Sequence, residues 1–119
     1  MISAAFIFEP GTYDARFLAL DAKIEAAAVA TPGYLGRETW QSEDGRLFNA
    51  TYYWADLAAL QAFSGNTDHL DAKRDYKLWY KGFHIVISEV LRAYGDGSLE
   101  HITAALSQPY PHPHQATPS

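Results

Sequence analysis

The residues best suited to chemistry in this chain lie in one segment, positions 68–80. At about 100° per residue, His69, Ala72, Tyr76, Trp79 and Tyr80 fall on one side of a helix there. Asp68, Asp71, Arg74, Asp75 and Lys77 take the other sides. A helix facing only an oily core would carry Leu, Val or Ile; an aromatic face with polar tips is the wall of a pocket. An imidazole near neutral pKa suits a general base, and Tyr and Trp rings stack on flat aromatic ligands. His69 sits in the first turn of a helix that Thr67 starts. The helix dipole and partial burial both disfavour its charged form, so a neutral, proton-accepting imidazole is expected at pH 7. His69 and Tyr76 are the expected catalytic pair. The alternative is that the hydroxyls and the imidazole only reach water or backbone at the edge of the core.

Other candidates are scattered. Trp54 closes a strand just before a helix, where a side chain often lines a cavity mouth; an ordinary core indole is the other reading. Asn49 sits mid-strand among large residues, on the face opposite Trp54, and a buried amide there needs partners. His84, near the start of the last long strand, is a second acid–base candidate or an edge residue. His101 reads as a surface residue. His112 and His114 flank a proline in a tail with nothing rigid to hold a metal. There is no dinucleotide-binding glycine pattern, phosphate loop, HExxH or nucleophile elbow. An oxygenase built on this chain would therefore be cofactor-free, or would hold a group such as haem through one histidine.

The elements that must position these residues follow from pattern and punctuation. Residues 2–8 are short and apolar and stop at Glu9-Pro10-Gly11, a strand and a turn. Thr12 or Asp14 caps a helix in which Phe17, Leu20, Ile24 and Ala28 recur at helical spacing, with Asp21, Lys23 and Glu25 placed elsewhere on the wheel. Thr31-Pro32-Gly33 ends it. Residues 34–41 and 46–54 read as strands joined by Ser42-Glu43-Asp44-Gly45. Asp56 caps a short helix carrying Leu57, Leu60 and Phe63, which Ser64-Gly65-Asn66 interrupts. Thr67 opens a second helical segment through about Tyr80, and residues 83–93 form a long strand.

This order, βαββαβ, predicts an α+β, ferredoxin-like antiparallel sheet with helices on one face. In the third strand Phe48, Ala50, Tyr52 and Trp54 face one way, and Leu47, Asn49, Thr51 and Tyr53 the other. Both faces of the sheet are largely apolar, so the face without helices is expected to pack on an identical partner. The domain occupies residues 1–97, a short terminal helix lies within 98–108, and the Pro- and His-rich stretch 109–119 is expected to be mobile.

Composition narrows the function classes. The 119 residues fit one domain, and 48% hydrophobic content supports a core. A net charge of −5 with no basic patch argues against nucleic acid. No cysteine is present, which excludes disulfides, thiol nucleophiles and Cys-bound metals. No apolar run spans a bilayer and the first residues lack a signal-peptide pattern, so no membrane partner and a cytoplasmic location are expected.

Four stretches resemble the antibiotic biosynthesis monooxygenase family: Thr-Pro-Gly-Tyr-Leu-Gly at 31–36, Trp-Gln-Ser-Glu-Asp-Gly at 40–45, Tyr-Tyr-Trp at 52–54 followed by Ala62 and Phe63, and Thr67-Asp68-His69. The resemblance spans about residues 2–97. It implies a dimeric α/β barrel and an activity drawn from cofactor-independent anthrone and quinol monooxygenases, haem degraders or a sugar-phosphate isomerase. By resemblance to the anthrone oxygenases, Trp54 and Arg74 contact substrate, while Ala50 stands where an asparagine is expected. The Thr-x-His stretch resembles the quinol monooxygenases. In the haem degraders the catalytic tryptophan aligns with Phe63 and the iron-binding histidine near Ala72.

Together these readings imply a homodimeric, cofactor-independent monooxygenase acting with dioxygen on a phenolic or polycyclic aromatic molecule. His69 and Tyr76 would be catalytic, and Trp54, Trp79, Phe63, Arg74 and His84 would bind substrate. One alternative is a haem-binding protein of the same fold using His69 or His84. Another is a non-catalytic small-molecule-binding or stress protein.

Overall fold

The computed structural model describes residues 1–65, 70 and 73–108. Strand β1 (Ile2–Pro10) leads to helix α1 (Ala15–Ala30), then strands β2 (Tyr34–Gln41) and β3 (Phe48–Trp54), helix α2 (Leu57–Ser64) and strand β4 (Tyr80–Glu89). The sheet order is β2-β3-β1-β4 with every pairing antiparallel, the ferredoxin-like α+β arrangement expected.

Local chemistry sets the boundaries. Asp14 caps α1, its carboxylate accepting from the Phe17 N–H at 2.8 Å. The helix stops at Thr31, whose hydroxyl donates to the Ala27 carbonyl at 2.7 Å. Gly33 follows at φ +93°, and a Cβ there would lie 2.8 Å from the Ala59 Cβ, so glycine is required both by backbone and by space. Asp56 repeats the capping for α2, accepting from the Ala59 N–H at 2.9 Å.

Register fixes two faces. Ile2, Ala4, Phe6 and Phe8 of β1 stand opposite Trp54, Tyr52, Ala50 and Phe48 of β3, and opposite Glu89, Ile87, Ile85 and Phe83 of β4. The helices cover this face: Ala28 of α1 and Ala59, Leu60 and Phe63 of α2 pack around Trp54, with Ile2, Ala4, Ile24, Tyr34 and Tyr52 at the margin. Each large apolar side chain buried here contributes about 1.5–3 kcal/mol. The other face carries Ile7, Asn49, Tyr53, His84 and Val86, together with Glu38 and Trp40 of β2.

The segment before β4 departs from expectation. In place of a helix continuing to Tyr80, Tyr76–Leu78 form a 3-10 turn and Tyr80 is the first residue of β4. The bonds Leu78 N–H to Asp75 C=O and Trp79 N–H to Tyr76 C=O, both 3.0 Å, tighten the chain. The Trp79 carbonyl then accepts from the Gly11 N–H at 2.6 Å. A Cβ on Gly11 would lie 2.7 Å from that oxygen, so only glycine lets the two segments meet. Tyr80 therefore pairs with Pro10 across a bulge, and the expected common face of Tyr76, Trp79 and Tyr80 does not exist.

Met1–Glu89 form one compact unit and the described residues from Val90 a second. In the second, strand β5 (Ala93–Tyr94) pairs in parallel with β6 (Ser107–Gln108). A 3-10 helix at Ile102–Leu106 stands where the sequence suggests a terminal helix over 98–106. No helix among the described residues is long and apolar enough to cross a membrane. The expectations for Thr67, Asp68, His69, Asp71, Ala72 and residues 109–119 lie outside the described residues.

Candidate functional site

The helix-side face of the sheet carries an almost continuous layer of rings. At one end Trp54 is fully buried, with Tyr34 and Phe63 at centroid distances of 5.1 and 5.0 Å. Tyr52 continues the row, 6.1 Å from Phe63 and 6.4 Å from Tyr34. At the other end Tyr80 packs edge-on against Phe6, Phe8, Phe17 and Tyr13 at 5.2–6.0 Å. Helices leave the β4 margin open: Phe83, Ile85 and Ile87 are 42, 46 and 55% exposed. The ring layer thus runs from the exposed β4 margin toward the covered Trp54.

Two polar features break this apolar layer. The first is the Trp54 indole N–H, buried with no hydrogen-bond partner among the described residues. Leaving such a donor unmet costs about 1–3 kcal/mol. The second is a charged cluster from α1 and β2. Arg37 pairs with Glu25 and lies 3.5 Å from the Tyr52 hydroxyl, its guanidinium 5.8 Å from that ring. Asp21, one helical turn before Glu25, shares the α1 stripe with Phe17, Ile24 and Ala28. Burial raises its carboxyl above the usual carboxylate range, and Arg37 partly offsets this. Burial also raises the phenols of Tyr13, Tyr34, Tyr52 and Tyr80, with Asp21 adding to the shift at Tyr13, Tyr52 and Tyr80.

The residues named from sequence fall in separate places. Trp54 and Phe63 touch, in the interior. Tyr76 stands edge-on to Phe83 at 4.8 Å, beside the open margin. Trp79 is 1% exposed; its N–H donates to Asp14 at 3.2 Å, Arg16 lies 5.1 Å over its ring, and Phe17 packs at 5.2 Å. Arg74 is exposed and bonds Asp75, which Arg16 also engages. These two guanidiniums hold the Asp75 carboxyl down at about 2. His84 is exposed on the sheet face opposite Trp54, paired with Ile7, so sheet pleating keeps the two apart. His69 lies outside the described residues.

Sequence reading missed Asp21, Glu25 and Arg37. The signal was present for Asp21: positions 17, 21, 24 and 28 are spaced i, i+4, i+7, i+11, which is one helix face. Asp21 is therefore not elsewhere on the wheel, as the sequence suggests; it stands on the apolar stripe.

No family model matches the sequence, and no curated protein matches it. Solved structures do match the fold. SnoaB, a cofactor-independent oxygenase from Streptomyces nogalater, superposes with a TM-score of 0.62 at 13% identity, over 77% of this chain and 94% of that one. Rv0793 from Mycobacterium tuberculosis gives 0.60 at 20% identity, over 77% and 96%. A Deinococcus radiodurans protein assigned by inference to the antibiotic biosynthesis monooxygenases gives 0.64 at 18% identity, over 78% and 95%. The chain has the fold of the antibiotic biosynthesis monooxygenase structures, in agreement with the motifs quoted from its sequence.

Proposed function

We propose that the chain belongs to the antibiotic biosynthesis monooxygenases and is a cofactor-independent oxygenase for a flat phenolic or polycyclic aromatic molecule. One observation carries this reading: a fully buried indole N–H without an acceptor among the described residues, set among Tyr34, Tyr52 and Phe63. A donor left unmet in a layer of rings suits a ligand with an aromatic body and an oxygen acceptor. SnoaB, of the same fold, is a cofactor-independent oxygenase, which supports the same chemistry here.

In that chemistry the protein binds an electron-rich substrate and removes a proton. The resulting anion gives one electron to dioxygen, the radical pair combines to a hydroperoxide, and loss of water leaves a carbonyl. For a ring CH2 the balance is CH2 + O2 → C=O + H2O; the carbon loses four electrons and dioxygen gains four. Trp54 would donate to the substrate oxygen, Phe63 would pack on its rings, and His69 would accept the proton, as the sequence suggests. The exposed apolar residues Trp40 and Val86, 65 and 41% exposed on the face without helices, support a homodimer.

The test is oxygen uptake by the purified protein with anthrone and quinol substrates, without added cofactor. Uptake above the rate of autoxidation, lost in Trp54→Phe and in His69→Ala with both variants folded, supports the proposal. Uptake equal to autoxidation across the panel overturns it.

A second reading, a non-catalytic binding protein, is favoured by the complete burial of Trp54, whose ring has no exposed surface. Ligand binding without oxygen uptake would select it.

A further inference from the structure

The α1 helix places a carboxylate on the stripe that carries the buried Phe17 and Ala28. Asp21 lies between Phe17 and Glu25, each about 6 Å away along the helix axis. Phe17 packs on Tyr80 and Tyr13 on one side. On the other, Glu25 holds Arg37 against the Tyr52 hydroxyl. Asp21 is thereby bracketed by the two ring clusters of the helix-side face. Its neighbours desolvate it in part while its side chain stays accessible to solvent, and it makes no hydrogen bond or ion pair among the described residues. Its charge is felt at the phenols of Tyr13 and Tyr80 on one side and of Tyr52 on the other.

We propose that Asp21, with Arg37 behind it, is a subsite that reads a hydroxyl group on an aromatic ligand lying along this face. This rests on the reading of the helix-side face as the ligand site. A carboxylate is an acceptor only, so the complementary ligand edge must be a donor, and the surrounding rings require its body to be flat and apolar. A phenol or naphthol edge satisfies both; an ether or a bare ring does not. Arg37 keeps a positive charge near the carboxylate while Glu25 fixes its position. The raised carboxyl of Asp21 strengthens it as an acceptor.

The experiment is a ligand-observed NMR titration of the full chain with 2-naphthol, 2-methoxynaphthalene and naphthalene. The wild-type protein should bind 2-naphthol at least tenfold more tightly than the other two. In Asp21→Leu the preference should vanish or invert toward the ether, as apolar area dictates. In Asp21→Asn, which keeps an acceptor without the charge, it should fall at least threefold. Equal wild-type affinity for the three probes, or an unchanged preference in both variants, overturns the subsite and leaves the oxygenase reading standing. No binding of any probe overturns both. Preferential binding of 2-naphthol with no oxygen uptake on any substrate leaves the subsite and removes the oxygenase.

Discussion

The indole N–H of Trp79 donates to Asp14 Oδ1 at 3.2 Å, the same oxygen that accepts the Phe17 N–H at 2.8 Å. One carboxylate thus caps α1 and fastens the start of β4 to it, across 65 positions of sequence. Asp14→Ala removes both bonds and should cost about 1–2 kcal/mol, the upper part of the range for a lost cap. Trp79→Phe removes only the second bond. Denaturant melts of the two single variants and the double should show a coupling of at least about 0.5 kcal/mol. Additive effects would mean the indole bond contributes nothing to the cap.

Asp75 lies between Arg16 and Arg74, and its carboxyl is held down at about 2 by those bonds. A folded-state pKa below the unfolded one stabilises at pH values above the unfolded pKa. That contribution is lost as pH falls through the folded value. Asp75→Asn should therefore lower the Tm at pH 5–7, and the gap to wild type should close between about pH 4 and 2. Thermal melts across that range provide the check. A gap independent of pH would assign the effect to packing and not to the charge.

The strands were legible as apolar and aromatic runs because each turn between them carries its own chemistry: Pro32-Gly33, Asp44-Gly45 and the capping Asp56. The segment before β4 was not. Its apolar and aromatic residues fit a helical period, but long-range bonds decide the outcome: Gly11 to the Trp79 carbonyl and Tyr80 to Pro10. Neither is visible in a local window. Trp79 looked like a ligand-stacking ring because the sequence does not reveal that Asp14, far upstream, takes its N–H. Trp54 and Phe63 meet because a strand end and a helix face bring them together. Asp21 shares the helical spacing of Phe17 and Ala28, but its charge alone marks the solvent side of a helix in a local reading.

The sheet face opposite the helices leads to a prediction about assembly. Trp40 is 65% exposed there and Val86 41%, with Ile7 and Tyr53 on the same face. Large exposed apolar side chains on one face mark an interface. Sedimentation equilibrium at micromolar concentration should return twice the mass of one chain, and Trp40→Glu should shift the population to monomer. A wild-type protein that is monomeric and stably folded would refute the pairing of these faces.

Asp21 provides a signature that depends on pH. Burial raises its carboxyl in the folded state, and Arg37 offsets only part of that. A folded pKa above the unfolded one contributes stability below the unfolded pKa, and that contribution disappears as pH rises through the folded value. Near neutral pH the ionised Asp21 is therefore a destabilising group kept in the fold. Asp21→Asn should melt higher than wild type at pH 7, and the advantage should shrink toward pH 3, where both side chains are neutral. The groups around it are Tyr13, Tyr52 and Tyr80, which stay protonated over this range, Arg37, which stays charged, and Glu25, whose ion pair with Arg37 is common to both proteins. Their contributions cancel in the comparison. A stabilising substitution that weakens ligand binding is the behaviour of a residue kept for function, because stability alone would favour its replacement. Scanning calorimetry of the two proteins from pH 3 to 7 decides the matter. A variant that melts below wild type at pH 7 would make Asp21 a structural partner of Arg37 and remove this support for the subsite.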